Sequence, residues 1–169
     1  MENYLQPQDD GLPMREIGAW VVEKLDYLKR YIDVFETSMH DKPWRRRHYI
    51  DLFAGPGKCR VTQGGTIHLG SPLLALVTSH PFTGYFFADK DNGNIVALRQ
   101  RCSVFPNPDS IVRYCEDAND AVHDIVERIQ SVDGEFMQER WSSLNLAFLD
   151  PDGLELKWDT VAALATVRK

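Results

Sequence analysis

Cysteine is scarce in this chain, and what there is does not pair. Cys59, Cys102 and Cys115 are odd in number and show no CxxC spacing. That excludes a disulfide framework and a cysteine-built zinc site, and leaves buried or incidental thiols. Long apolar runs are missing as well. No stretch approaches the roughly 20 residues needed to cross a bilayer, and Met1–Asp10 is polar and acidic, without the apolar core of a signal peptide. No membrane contact and a cytoplasmic setting are therefore expected. A surplus of positive charge is absent too. Nineteen Lys and Arg face 25 Asp and Glu, and the net charge of −6 carries no global signature of polyanion binding. Two nucleotide fingerprints are lacking: there is no GxxxxGK[ST] phosphate loop, and Arg60 stands where the third glycine of a dinucleotide turn would fall.

What remains is an ordinary globular composition, 43% hydrophobic and 26% charged over 169 residues, the size of one domain. The charge is unevenly spread. Residues 14–50 carry eight Lys/Arg against six Asp/Glu, whereas residues 109–159 carry four against thirteen. Any nucleic-acid contact should therefore come from the N-terminal part, where Lys42, Arg45, Arg46, Arg47 and His48 cluster. Such a run either binds phosphates or forms a solvated edge.

Residues 1–14, with Pro7, Gly11 and Pro13, read as a flexible arm before a single domain over 15–169. Apolar residues at Ile17, Val21, Leu25, Leu28, Ile32 and Phe35 alternate steps of three and four, which predicts an amphipathic helix over about 15–37. Four short apolar runs follow, ending at Asp51, Asp89, Asp117 and Asp150, at intervals of 38, 28 and 33 residues. Each gap carries a helical pattern. That alternation is the βαβ signature of a parallel sheet with buried strands, an α/β Rossmann-like three-layer sandwich. Ligands of such sheets sit outside the carboxyl ends of the strands, so four acids at those ends line one crevice.

The first strand runs into Asp51-Leu52-Phe53-Ala54-Gly55-Pro56-Gly57, a turn whose glycines let a ligand approach the backbone. An acid ahead of that turn repels a pyrophosphate but suits a cationic ligand such as S-adenosylmethionine. Asp89 is placed either to accept from ribose hydroxyls or to serve as the N-terminal acid of the next helix, with Asp91 the runner-up for the ribose. Asp117-Ala118-Asn119 either accepts from an adenine amino group or caps a helix. In Asp150-Pro151-Asp152-Gly153 the proline ends the strand extended and leaves carbonyl acceptors beside a carboxylate, a setting for an N–H nucleophile or for an ordinary turn. Ser71 and Pro72 read as N-cap and first residue of a helix. Lys58–Leu69 is then an insertion, a lid or a surface hairpin.

The series Tyr49-Ile50-Asp51-Leu52-Phe53-Ala54-Gly55-Pro56-Gly57, Gly70-Ser71-Pro72-Leu73, Phe86-Phe87-Ala88-Asp89, Glu116-Asp117-Ala118-Asn119 and Phe148-Leu149-Asp150-Pro151-Asp152-Gly153-Leu154 resembles the three-Cys-motif partner (TcmP) family. That family looks like a branch of the class I S-adenosylmethionine-dependent methyltransferases. The resemblance implies that Asp51, Gly55 and Gly57 hold the methionine end of the cofactor, Asp89 the ribose and Asp117 the adenine, with Phe53, Lys90 and Ala118 as further cofactor-binding candidates. Asp150 and Pro151 would face the methyl acceptor, expected on nucleic acid, with Arg45, Arg46 and Arg47 as its contacts. The chain departs from the pattern at Asp152 and Gly153, where relatives carry an aromatic platform for the target base. This departure favours a second reading, a cofactor-binding partner protein without turnover. The resemblance is to a seven-stranded fold, of which four strands are countable. A sheet completed by a partner protein or by further C-terminal chain is therefore expected, with the fold cut after strand four and its helix.

Overall fold

The computed structural model describes residues 4–134 and 141–167. Seven strands and five α-helices follow in the order β1 (Arg15–Ile17), α1 (Trp20–Met39), β2 (Arg46–Asp51), β3 (Lys58–Val61), β4 (Ile67–Leu69), α2 (Ser71–Leu76), β5 (Gly84–Ala88), α3 (Asn92–Cys102), β6 (Ile111–Tyr114), α4 (Ala118–Gly134), β7 (Ser143–Phe148) and α5 (Trp158–Ala165). The main sheet has the order β6-β5-β2-β7, all neighbours parallel. These are the four strands expected from the acid-ended runs. Chain order reverses between β2 and β7, which makes their carboxyl ends the switch point where an open α/β sheet takes its ligand.

Strand periodicity divides the core. Tyr49 of β2 with Tyr85 and Phe87 of β5 point to one face, packed by Leu25, Leu28 and Ile32 of α1, Leu73 of α2 and Leu98 of α3. Ile50 with Phe86 and Ala88 point to the other, packed by Val122, Ile125 and Ile129 of α4 and by Leu164 of α5. The architecture is therefore α/β in three layers. β7 forms one margin of the sheet, and among the described residues no strand pairs with its outer side. Arg168 and Lys169 lie outside the described residues. Among the described residues no helix is long and apolar enough to cross a membrane.

Two local expectations are corrected, and the insertion takes one of the two forms expected of it. The first helix begins at Trp20 rather than 15, because residues 15–17 extend and pair in parallel with β3. The Lys58–Leu69 insertion is a hairpin, β3 antiparallel to β4, and with β1 it makes a second, three-stranded sheet. Ser71 lies inside α2 with Gly70 in the cap position, so its hydroxyl is not a cap. The described part of the N-terminal arm is also not loose. Tyr4 is buried, and Asp10 is held by Lys58 and Arg101.

Candidate functional site

Two adjoining cavities open along the carboxyl edge of the main sheet. The larger, about 290 Å³, is walled by the glycine turn, by the β1–α1 segment and by Asp150-Pro151-Asp152. The smaller, about 220 Å³, is walled by Asp89, Lys90, Asp91, Asn94, Asp117 and Glu155. Arg15, Phe53 and Asp152 line both, so the two form one crevice running from the glycine turn to the ends of β5 and β6. Small-molecule sites usually occupy about 300–1,000 Å³, and the joined crevice falls in that range.

The turn itself is shaped by glycine. Gly55 and Gly57 have φ of +61° and +94°, a region that side-chain-bearing residues seldom adopt. A Cβ at Gly55 would meet nothing within 4 Å, whereas one at Gly57 would lie 3.0 Å from Leu98 and 3.2 Å from Leu73. Gly57 therefore serves packing against α2 and α3, and Gly55 leaves room that a ligand can take. The Gly55 N–H donates to Asp89 Oδ2 at 2.9 Å, tying the turn to the end of β5. The other Asp89 oxygen accepts from the Asp91 N–H at 2.8 Å and from Asn94 Nδ2 at 3.2 Å. Asp91, not Asp89, caps α3, through the Asn94 N–H at 3.0 Å.

Asp51 closes β2 beneath the turn and is fully buried. Its Oδ1 accepts from the Phe53 N–H at 3.2 Å, while Oδ2 has no hydrogen-bond partner. Burial pushes its carboxyl up from 3.8 to about 7, with the Asp150 and Asp89 charges adding to the effect; the nearby Ser71 hydroxyl and the Phe53 amide oppose it. Asp51 lines neither cavity: it is sealed behind the glycine turn, with Ser71, which does line the larger cavity, beside it.

Asp150 and Asp152 are both ion-paired. Lys24 of α1 bonds Asp150 Oδ2, and Arg15 of β1 bonds Asp152. Asp150 lines the larger cavity, and no described hydrogen bond reaches its Oδ1. Neither cation carried a signal in the sequence, because each is a helix or strand residue more than 120 positions from its partner. Trp20, strongly exposed, stands at the rim of the larger cavity with Lys24 Nζ 5.2 Å from its ring centre.

Asp117 lines the smaller cavity and also caps α4, its Oδ1 accepting from the Asn119 N–H at 2.9 Å. That bond lowers the Asp117 pKa below its ordinary value. Asn119 in turn braces the loop after β7: its Nδ2 donates to the Glu155 carbonyl and its Oδ1 accepts from the Lys157 N–H, both at 2.9 Å. Ala118 is buried in the lower core and lines neither cavity, which corrects its placement in the site.

The basic cluster is corrected as well. Arg46 begins β2 and Asp51 ends it, so five strand steps, roughly 17 Å, separate the cluster from the crevice. Arg47 is a structural cation, its Nε donating to the buried Glu36 at 2.8 Å and its Nη2 to the Pro81 carbonyl at 3.1 Å. Arg45 donates its backbone N–H to the Trp141 carbonyl, and Arg46 is exposed.

No family model matches this sequence, and no curated protein matches it. Among solved structures it is similar to a conserved hypothetical protein of Streptococcus pyogenes, at 18% identity and a TM-score of 0.45. The match covers 73% of this chain and 61% of that one, so it spans less than two thirds of that structure.

Proposed function

We propose that the crevice binds S-adenosylmethionine and that the chain is a methyltransferase acting on a nitrogen or oxygen nucleophile. The observation that carries this reading is the joint one at the switch point. A glycine turn with open space at Gly55 and the Asp150-Pro151 strand end wall one part of the crevice, and Asp89 and Asp117 line its far end. The donor set fits the group. Phe53, Gly55 and Gly57 wall the methionine end, with the Asp51 carboxyl buried behind them, and Asp89 with Lys90 and Asp117 bound the adenosine end. When bound, the cofactor supplies an electrophilic methyl on a sulfonium.

The chain's own residues then do mainly positional work. Lys24 fixes the Asp150 carboxylate through Oδ2, leaving Oδ1 to accept from the N–H or O–H of an incoming nucleophile. Pro151 removes one backbone donor at that edge, so a nucleophile's proton meets acceptors there. Holding two reactants in line in this way accounts for a large part of the rate in such transfers. The Arg45–Arg47 cluster lies at the opposite end of the sheet, which removes the charge argument for a nucleic-acid acceptor at the crevice.

A second reading, a cofactor-binding protein without turnover, is favoured by one observation: both acids of the Asp150–Gly153 motif are already paired to cations. Calorimetric titration with S-adenosylmethionine, followed by a methyl-transfer assay over nucleic-acid and protein acceptors, separates the two. An enzyme loses binding in Asp89→Ala and turnover in Asp150→Ala. A binding module shows binding alone. No binding by the wild type rejects both readings.

A further inference from the structure

Behind the glycine turn lies a buried ion cluster built from three distant parts of the chain. Arg101 of α3 is fully buried, and all five of its N–H donors have acceptors. Its Nε and Nη2 bond Asp10 at 2.9 and 2.7 Å, and Nη2 also reaches the Leu12 carbonyl at 3.3 Å. Its Nη1 donates to the carbonyls of Pro13 at 2.8 Å and Pro56 at 2.7 Å. Lys58, fully buried, completes the cluster through Asp10 Oδ2 at 2.8 Å and the Gln8 carbonyl at 2.9 Å. Asp10 is the one carboxylate shared by both cations, and its side chain is 3% exposed.

Pro56 is the middle residue of the glycine turn, and Lys58 follows it directly. With no cis peptide in the described chain, fixing the Pro56 carbonyl toward Arg101 turns the Gly57 N–H the opposite way. The cluster therefore sets the peptide orientation inside the turn that walls the larger cavity. Deleting the shared carboxylate would leave two buried cations uncompensated, so Arg101 would have to move and release Pro56. We propose that Asp10 is a positioning residue for the crevice: by holding Arg101 and Lys58 together it fixes the Gly55-Pro56-Gly57 turn and so sets affinity at the methionine end. The ligand named there rests on the reading given under Proposed function.

The smaller cavity shares no residue with the cluster, which supplies a control. Amide hydrogen exchange is measured on the wild type, on Asp10→Asn and on Asp9→Asn, whose parent residue pairs with the partly exposed Arg60. The expected result for Asp10→Asn is exchange about tenfold faster over residues 54–58, with β5 and α4 amides unchanged. In calorimetry, S-adenosylhomocysteine binding should weaken about tenfold in Asp10→Asn and adenosine binding by less than about threefold, with Asp9→Asn like the wild type. Exchange unchanged at 54–58, or raised equally throughout the chain, overturns the proposal. Should Asp10→Asn not fold, Asp10→Glu decides instead: faster exchange confined to 54–58 supports the proposal, and exchange like the wild type overturns it. A wild type that binds neither ligand rejects the cofactor reading, and the exchange pattern alone then decides the positioning role.

Discussion

Asp51 gives the fold a built-in dependence on pH that can be worked out in sign and size. Its carboxyl is lifted from 3.8 to about 7, chiefly because the folded chain removes it from water. A group whose folded pKa is raised binds its proton more tightly in the native state, so the native chain holds more protons than the unfolded chain between those two values. Stability must therefore fall as pH rises through that window. The full effect is about 4 kcal/mol, of which about 3 kcal/mol falls between pH 5 and pH 8. Asp51→Asn removes the titration while keeping an oxygen for the Phe53 N–H. Urea unfolding followed by circular dichroism at several pH values, for both proteins, isolates the effect as the wild type minus the variant. The difference should move by about 2 to 3 kcal/mol against the wild type from pH 5 to pH 8. Parallel curves for the two proteins, or a wild type that gains relative to the variant as pH rises, would refute the reasoning.

Three further outcomes follow from the same geometry. Gly57→Ala should cost more stability than Gly55→Ala, because both pay about 1–2 kcal/mol for positive φ but only the first also drives a methyl into Leu98 and Leu73; thermal denaturation ranks them, and equal losses would contradict the packing argument. Tyr49→Phe should be neutral or raise stability by about 1–3 kcal/mol, since it removes a fully buried hydroxyl that has no partner. A clear loss on urea unfolding would show that the hydroxyl is satisfied. Arg47→Ala should cost about 3–5 kcal/mol by leaving the buried Glu36 uncompensated, against under about 0.5 kcal/mol for the exposed Arg46→Ala. Similar midpoints for the two would mean that the Arg47–Glu36 pair does not brace the fold.

The main sheet was legible because buried parallel strands leave nearly continuous apolar runs, and Tyr85-Phe86-Phe87-Ala88 has no other reading in this context. The four strand-end acids were legible for the same reason, since each interrupts such a run. Asp117 shows the limit of that reading: cap and crevice residue are one and the same side chain, a choice the sequence had left open. The start of α1 was misjudged because Ile17 fits the helical spacing, while the parallel pairing that claims it lies more than 40 residues away. Asp10, Lys58 and Arg101 were invisible for a stronger reason. An ion pair bridging 91 positions has no periodicity and no motif, and Arg101 reads as one more cation in the last turn of a helix. Arg46 and Arg47 differ only in what the fold does with them: one stays in solvent and the other is drawn onto a buried carboxylate.

The walls of the larger cavity come from β1 and α1, from the turn after β2, and from the segment after β7, stretches separated by up to 137 residues. Such a cavity has no local precursor. Its walls meet only where β2 pairs with β7 and β1 with β3, pairings between residues more than 40 positions apart that carry a high loop-closure entropy. A ligand bound at this crevice would thus report on the joined elements rather than on any one of them. A ligand at 100 times its dissociation constant adds about 2.7 kcal/mol to the native state alone. For a crevice walled by such distant stretches, that stabilisation would be shared by all of them rather than confined to one element.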